Sequence, residues 1–276
     1  MPLPSDFQFS QNNLQDYWDC PRRFQLKFLL HQPWPAIQSE PVLEQEERMA
    51  LGDRFHQLVH QHQIGIDAEL LGKATNEPEL ATWWQNYLAD APKELPTARY
   101  SEHSLSASFG GFRLVATYDL LAIEPGSRAV IVDWKTSRRQ PTQQQLNDRL
   151  QSHVYPFLLV AAGTYLNGGQ AIVPEQVEMI YWFTEFPKTP MVLHYDSKRY
   201  AEDRQFLGTL VHEIVSQADG DFPLTLNEKH CRFCNYRSLC QRGVKAANFD
   251  PETEFSETSD ETPEDIDFEQ IAEIEF

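Results

Sequence analysis

The stretch Val130–Ser137, VIVDWKTS, decides how this chain is read. Val130, Ile131 and Val132 form an apolar run suited to a buried β-strand. An acid, an aromatic residue and a base follow: Asp133, Trp134 and Lys135. Residues two apart on a strand face the same side, so Asp133 and Lys135 project together and Trp134 points the other way. Charges at the end of a buried strand are costly unless something uses them. A plain salt bridge is the simplest use. A second acid, Asp119 in VATYDLL, lies in another apolar strand one hairpin earlier. Two acids on neighbouring strands repel unless a cation lies between them. A hard divalent ion, Mg²⁺ or Mn²⁺, suits oxygen ligands of this kind.

The surrounding pattern supplies a frame. SEHSLSASF and FRLVATYDLLAIE flank Gly110–Gly111, a hairpin signal, and AVIVDWKTS follows the Pro125–Gly126 turn. Three consecutive antiparallel strands are expected. QVEMIYWFT and PMVLHYD read as two more strands. Helical spacing appears in residues 10–30, where Ser10 is an N-cap candidate and Pro21 should separate two helices with Cys20 at the joint. Residues 43–63 read as an amphipathic helix with His56 among Met49, Phe55, Leu58 and Val59, and residues 79–90 as an aromatic-rich helix. Residues 142–166 read as one long helix kinked at Pro156, and SKRYAEDRQFLGTLVHEIVSQA as a helix with a Ser start. No internal repeat is visible. The expected architecture is α/β: a mixed sheet with helices on its faces.

The chain has four cysteines, and Cys231, Cys234 and Cys240 have the spacing C-x2-C-x5-C. Without an oxidising compartment such a cluster points to metal rather than disulfides, against the alternative of ordinary buried cysteines. Cys20 would complete a set of four if the chain ends meet. Zinc and a [4Fe–4S] cluster both accept four thiolates. Zinc sites usually show two close pairs, so the split into one distant and three clustered cysteines fits an iron–sulfur cluster better.

The net charge of −18 looks unsuited to nucleic acid until it is divided. Residues 249–276 hold 12 acids and no Lys or Arg, which leaves 29 acids against 23 bases in residues 1–248, a net of −6. The expected organisation is a folded domain over 1–248 and a largely disordered acidic tail over 249–276. The tail reads as a solubilising segment or as one that binds a partner or competes with DNA. No run of roughly 18 apolar residues is present, and the first residues lack a basic region followed by an apolar one, so a cytoplasmic, membrane-free protein is expected.

Taken in order, these motifs resemble the PD-(D/E)XK nuclease superfamily, in particular its RecB-like branch with an iron–sulfur cluster, which includes the nuclease domains of AddB and CRISPR-associated adaptation nucleases. CPRRF at Cys20 resembles the N-terminal cluster ligand of that branch. LGDRFHQLVH resembles its helix with a metal-binding His, here His56. YDLL supplies Asp119, VDWKTS supplies Asp133 and Lys135, QSHVY matches a Q-x3-Y element through Gln151 and Tyr155, and C-x2-C-x5-C closes the series. The resemblance covers about residues 8–245. It implies a restriction-endonuclease-like mixed sheet flanked by helices, with residues 10–30 and 228–245 joined by the four-cysteine cluster.

The resemblance also implies a chemistry. The protein would be a metal-dependent deoxyribonuclease, most simply an exonuclease, acting in repair, recombination or defence. Asp119, Asp133 and His56 would hold the metal, with the Trp134 carbonyl as a further ligand, and Glu102 matches an additional acid of some relatives. Lys135 would orient and activate the attacking water. Gln151 and Tyr155, four apart on a helix, would hold the scissile strand or buttress Lys135. Arg138 and Arg139 would track the phosphate backbone. Arg22, Arg23, Arg232 and Arg237, beside the cluster ligands, would form either a basic rim over single-stranded DNA or a solvated face. The partners would be DNA with a single-stranded end and, because the chain has no helicase P-loop, a separate helicase, recombination or defence protein. The alternative is a non-cleaving DNA-binding or scaffold subunit that keeps the fold; a third is a four-cysteine zinc protein with an unrelated α/β core.

Overall fold

The structure is a computed structural model, which describes residues 3–33, 40–218, 220–231 and 234–243, with the side chains of 40–46 set aside. The acidic tail and Arg232 lie outside the described residues.

A six-stranded mixed sheet forms the centre, with strands β1 (Gln8–Ser10), β2 (Ala98–Phe109), β3 (Phe112–Glu124), β4 (Arg128–Lys135), β5 (Val177–Phe183) and β6 (Met191–His194). The order is β1-β3-β4-β5-β6, and β2 pairs with β3. The three expected antiparallel strands β2, β3 and β4 are present. Gly110 and Gly111 have φ of 58° and 87°, the left-handed conformations of a two-residue hairpin turn. β4 and β5 are parallel, and seven of the eight residues of β4 are buried, as a strand covered on both faces requires. β1 was not legible as a strand. It is three residues long and runs parallel to β3.

One edge of β3 is shared. β1 pairs with Arg113 to Val115, and β4 pairs with Leu120 to Glu124. Between these pairings the two partners separate, and Asp119 lies in the gap. The side-chain alternation of β3 slips there too. Leu114, Ala116 and Tyr118 face one core, and so do Leu121 and Ile123. Leu120 and Ala122 face the other.

The larger core lies under α1 (Gln11–Asp19), α7 (Leu150–Ala162) and α8 (Ser197–Gln217). The smaller lies under α3 (Glu40–Gln63), α4 (Ala68–Gly72) and α5 (Pro78–Asp90), and contains Phe55, Trp83, Trp84, Tyr87, Trp134 and Trp182. Ser10 caps α1 in a capping box with Asn13, and α2 (Pro21–Phe24) restarts the chain after Cys20, as expected. α8 is capped by Asp196 rather than by Ser197, whose hydroxyl and N–H both go to Glu175.

The expected single helix over 142–166 is two helices. α6 (Gln143–Asn147) ends before Arg149, and α7 then continues past Pro156. Pro156 lacks the N–H that would bond the Ser152 carbonyl. That carbonyl instead accepts from the Arg199 guanidinium of α8 at 3.5 Å. The break falls at Asp148–Arg149, where the Ser152 hydroxyl returns to the Leu146 carbonyl.

The first helices meet the segment that follows α8. The Arg22 N–H donates to the Pro223 carbonyl, Gln25 bonds both the Gly220 carbonyl and the Phe222 N–H, and the Gln217 amide donates to the Tyr17 hydroxyl. Phe24 and Phe222 lie 6.0 Å apart between ring centroids in the larger core. None of the described helices is long and apolar enough to cross a membrane.

Candidate active site

The fork in β3 gathers the acids. Trp134 lies beyond the last β3–β4 register pair, Leu120–Val132, and its N–H donates to the Asp119 carboxylate at 2.8 Å. Trp134 itself points into the smaller core and meets Trp182 and Tyr87. Asp133 and Lys135 project to the opposite side, with Lys135 Nζ 3.0 Å from Asp133 Oδ2 and both side chains buried. The alternation expected of this strand is therefore observed.

α3 approaches from the other layer and brings His56 Nδ1 to 3.4 Å from Asp119 Oδ1. Burial opposes the charged imidazole, but the Asp119 carboxylate outweighs it and holds the His56 pKa up to about 9. Asp119 is held below its ordinary value by His56 and by the Trp134 N–H, although burial acts the other way. Glu102 completes the group from β2. Its φ of 51° is left-handed, an uncommon conformation for a non-glycine residue, and it lies between the register pairs Ser101–Leu120 and His103–Tyr118. Desolvation and the Asp119 charge push its carboxyl up to about 7.

Single ligand atoms of His56, Glu102 and Asp119 lie within 4.8 Å of one another. One imidazole nitrogen and two carboxylate oxygens, brought together despite like charges, suit a hard divalent cation. Glu102, which the residue pattern alone barely marked, thus belongs to the tightest ligand group among the described residues. Asp133 does not belong to that group, although its charge acts on His56 and Glu102. Asp133 Oδ1 accepts from the Gln151 amide at 2.5 Å. Tyr155, one turn further on α7, packs against Tyr118 at 4.8 Å, and its backbone carbonyl accepts the Tyr118 hydroxyl. Burial and the negative charge of Asp133 keep the Tyr155 phenol protonated far above neutrality.

A family profile described as the PD-(D/E)XK nuclease superfamily matches residues 8–241. The chain belongs to this superfamily. The chain also shares its overall fold with a crystal structure from Eubacterium rectale named "Putative exonuclease". That match has 11% identity and a TM-score of 0.52, and covers 88% of this chain and 91% of that one. A second solved structure, SSO0001, aligns over 81% of this chain and 95% of its own at 12% identity, with a TM-score of 0.33 too low to bear on the fold. No curated protein matches the chain.

Within this PD-(D/E)XK chain, two second-layer contacts had no sequence signal. The His60 ring bonds the Ser101 hydroxyl at 2.9 Å, and that hydroxyl donates to the Asp119 carbonyl at 3.1 Å. Arg48 donates to the Thr136 carbonyl at 2.6 Å, directly after Lys135. Arg138 is exposed and Arg139 half-buried in the loop after β4.

The four cysteines carry no disulfide. All four line one small cavity with Arg23 and Arg237. Burial raises the thiols of Cys231, Cys234 and Cys240, Cys234 to about 11. Arg23 and Arg237 form neither a basic rim nor a solvated face. Both are buried, Arg23 paired with Asp16 and Asp19, and Arg237 donating to the Cys234 carbonyl. A guanidinium on a short helix between two acids satisfies itself locally before it can face solvent.

Proposed function

We propose that the chain is a divalent-metal-dependent deoxyribonuclease of the RecB-like branch. The observation that carries this reading is the convergence of His56, Glu102 and Asp119, from a helix and two strands, beside the Asp133–Lys135 pair. These three side chains would hold one Mg²⁺ or Mn²⁺ ion, with Asp133 and the Trp134 carbonyl completing the shell. When bound, such an ion offsets phosphate charge and makes water more acidic.

The remaining roles fall to the protein. Lys135 has few rotameric choices, because Asp133 anchors its ammonium and the Tyr181 ring lies 5.9 Å away. It would donate to the phosphoryl oxygens as charge builds on them. Gln151 would hold Asp133 in place rather than reach the substrate, and Tyr155 would support the helix beneath it. Arg138 and Arg139 would meet the DNA backbone.

The four cysteines would hold a [4Fe–4S] cluster that staples residues 10–30 to 228–245 inside one domain spanning 1–248. The shared cavity supports this reading.

The test is cleavage of end-labelled single- and double-stranded DNA with Mn²⁺. Wild type should cut, and Asp119→Ala and Asp133→Ala should not. Equal cleavage by all three proteins rejects the site. Iron and sulfide content after anaerobic purification tests the cluster, and stoichiometric zinc without iron rejects it.

A further inference from the structure

Beside the acidic fork, where His103 of β2 pairs with Tyr118 next to Asp119, lies an aromatic group that none of the roles above uses. His103 and Tyr100 are on β2, flanking Glu102, and their rings lie 5.4 Å apart. Tyr165, in the short turn after α7, approaches from the helix layer. Its hydroxyl bonds His103 Nε2 at 2.7 Å, and its ring centroid is 6.1 Å from that of His103. Tyr165 is 60% exposed.

Three features distinguish this from ordinary core packing. A tyrosine stacked for stability would bury its ring, and Tyr155 and Tyr118 on the same face do so. Tyr165 instead keeps a ring face in solvent while its hydroxyl is tied down, so its orientation is fixed in advance. The anchor, His103, is next in sequence to Glu102. The left-handed backbone at Glu102 turns its carboxylate toward His56 and Asp119, while Tyr100 and His103 on either side serve the aromatic group. A pre-oriented, solvent-facing ring, held by the residue next to Glu102, suits a flat, uncharged ligand joined to the phosphate that the proposed centre would cut. A nucleobase of an unpaired strand meets that description, and a paired base, whose faces are covered by its neighbours, does not.

We propose that Tyr165, oriented by His103, is a stacking platform for one nucleobase of single-stranded DNA next to the scissile phosphate. The proposal rests on the nuclease reading for the position of that phosphate. Base–aromatic stacking contributes about 1–3 kcal/mol per base, equivalent to a 5- to 150-fold change in affinity. Tyr165→Ala should lose that much affinity for a single-stranded oligonucleotide and little for blunt duplex. Tyr165→Phe should keep most of it, because the ring remains. The affected base can be located with oligonucleotides that carry an abasic residue at one position at a time. Wild type should lose affinity at one position, and Tyr165→Ala should be indifferent to the abasic residue there.

Binding is read by fluorescence anisotropy on the full chain in EDTA, so the outcome does not depend on cleavage. If wild type cuts DNA but Tyr165→Ala binds intact and abasic strands as tightly as wild type does, the platform is overturned and the nuclease stands. If no metal supports cleavage, the nuclease reading fails, and single-strand binding that depends on Tyr165 and on one base would still establish the platform. Equal loss of affinity for single strands and blunt duplex on Tyr165→Ala also overturns it, since a general structural role would produce that result.

Discussion

Metal binding at the fork should depend steeply on pH, with a slope set by two residues. A cation can be held by His56 and Glu102 only after their protons leave. His56 is held up to about 9 and Glu102 up to about 7. Above pH 9 no proton is displaced. Between 7 and 9 each bound ion displaces one proton, from His56, so affinity should tighten about tenfold per pH unit and about 100-fold over that interval. Below pH 7 Glu102 adds a second proton, and the dependence should approach about 100-fold per unit. The assay is anaerobic calorimetry of Mn²⁺ binding without DNA, in buffers of different ionisation enthalpy, which counts the released protons directly. His56→Asn keeps an oxygen donor but has no proton to release, so it should remove one displaced proton per bound ion, while the Glu102 step moves to higher pH because the His56 charge that lowers it is gone. An affinity constant from pH 7 to 9 in the wild type, or an unchanged slope in His56→Asn, would refute the reasoning.

Three further outcomes are expected. In the metal-free protein, the raised pKa of Glu102 means that the folded state binds a proton the unfolded chain would release. Glu102 therefore costs stability as pH rises from its ordinary 4.5 toward 7, and Glu102→Gln should be more stable than wild type at pH 8. Screening at this exposed side chain limits the gain to about 1 kcal/mol, measurable by urea denaturation, and no gain would count against the carboxylate cluster. Gln151→Leu leaves the buried Asp133 without its amide donor and should cost about 1–3 kcal/mol of stability in the same assay, together with most of the cleavage activity. Gly52→Ala places a methyl 3.1 Å from the Thr136 hydroxyl, next to Lys135. Helix propensity favours the change by about 1 kcal/mol, so the melting temperature should not fall while cleavage drops, and Thr136→Ala in the same chain should restore it.

The sequence by itself determined the elements that depend on local pattern. The strand alternation at Asp133 and Lys135, the Gly110–Gly111 hairpin, the Ser10 cap and the helix break before Pro21 are set by short-range sterics and hydrogen bonding, and all are observed. Where a long-range partner could replace a local bond, the local rule failed. The long helix expected over 142–166 breaks before Arg149 rather than at Pro156, where Arg199 from α8 takes up the carbonyl that the proline frees. β1 escaped notice because three residues carry too little periodicity, and only the open edge of β3 makes them a strand. Glu102 is marked in the sequence only through the resemblance, as an additional acid of some relatives. It becomes part of the site because a left-handed backbone turns it toward Asp119 and because α3 sets His56 against the same carboxylate. Residue types and their order are properties of the chain, but whether three charges share a few ångströms depends on how a helix, a forked strand and an edge strand pack, and only the tertiary structure decides that.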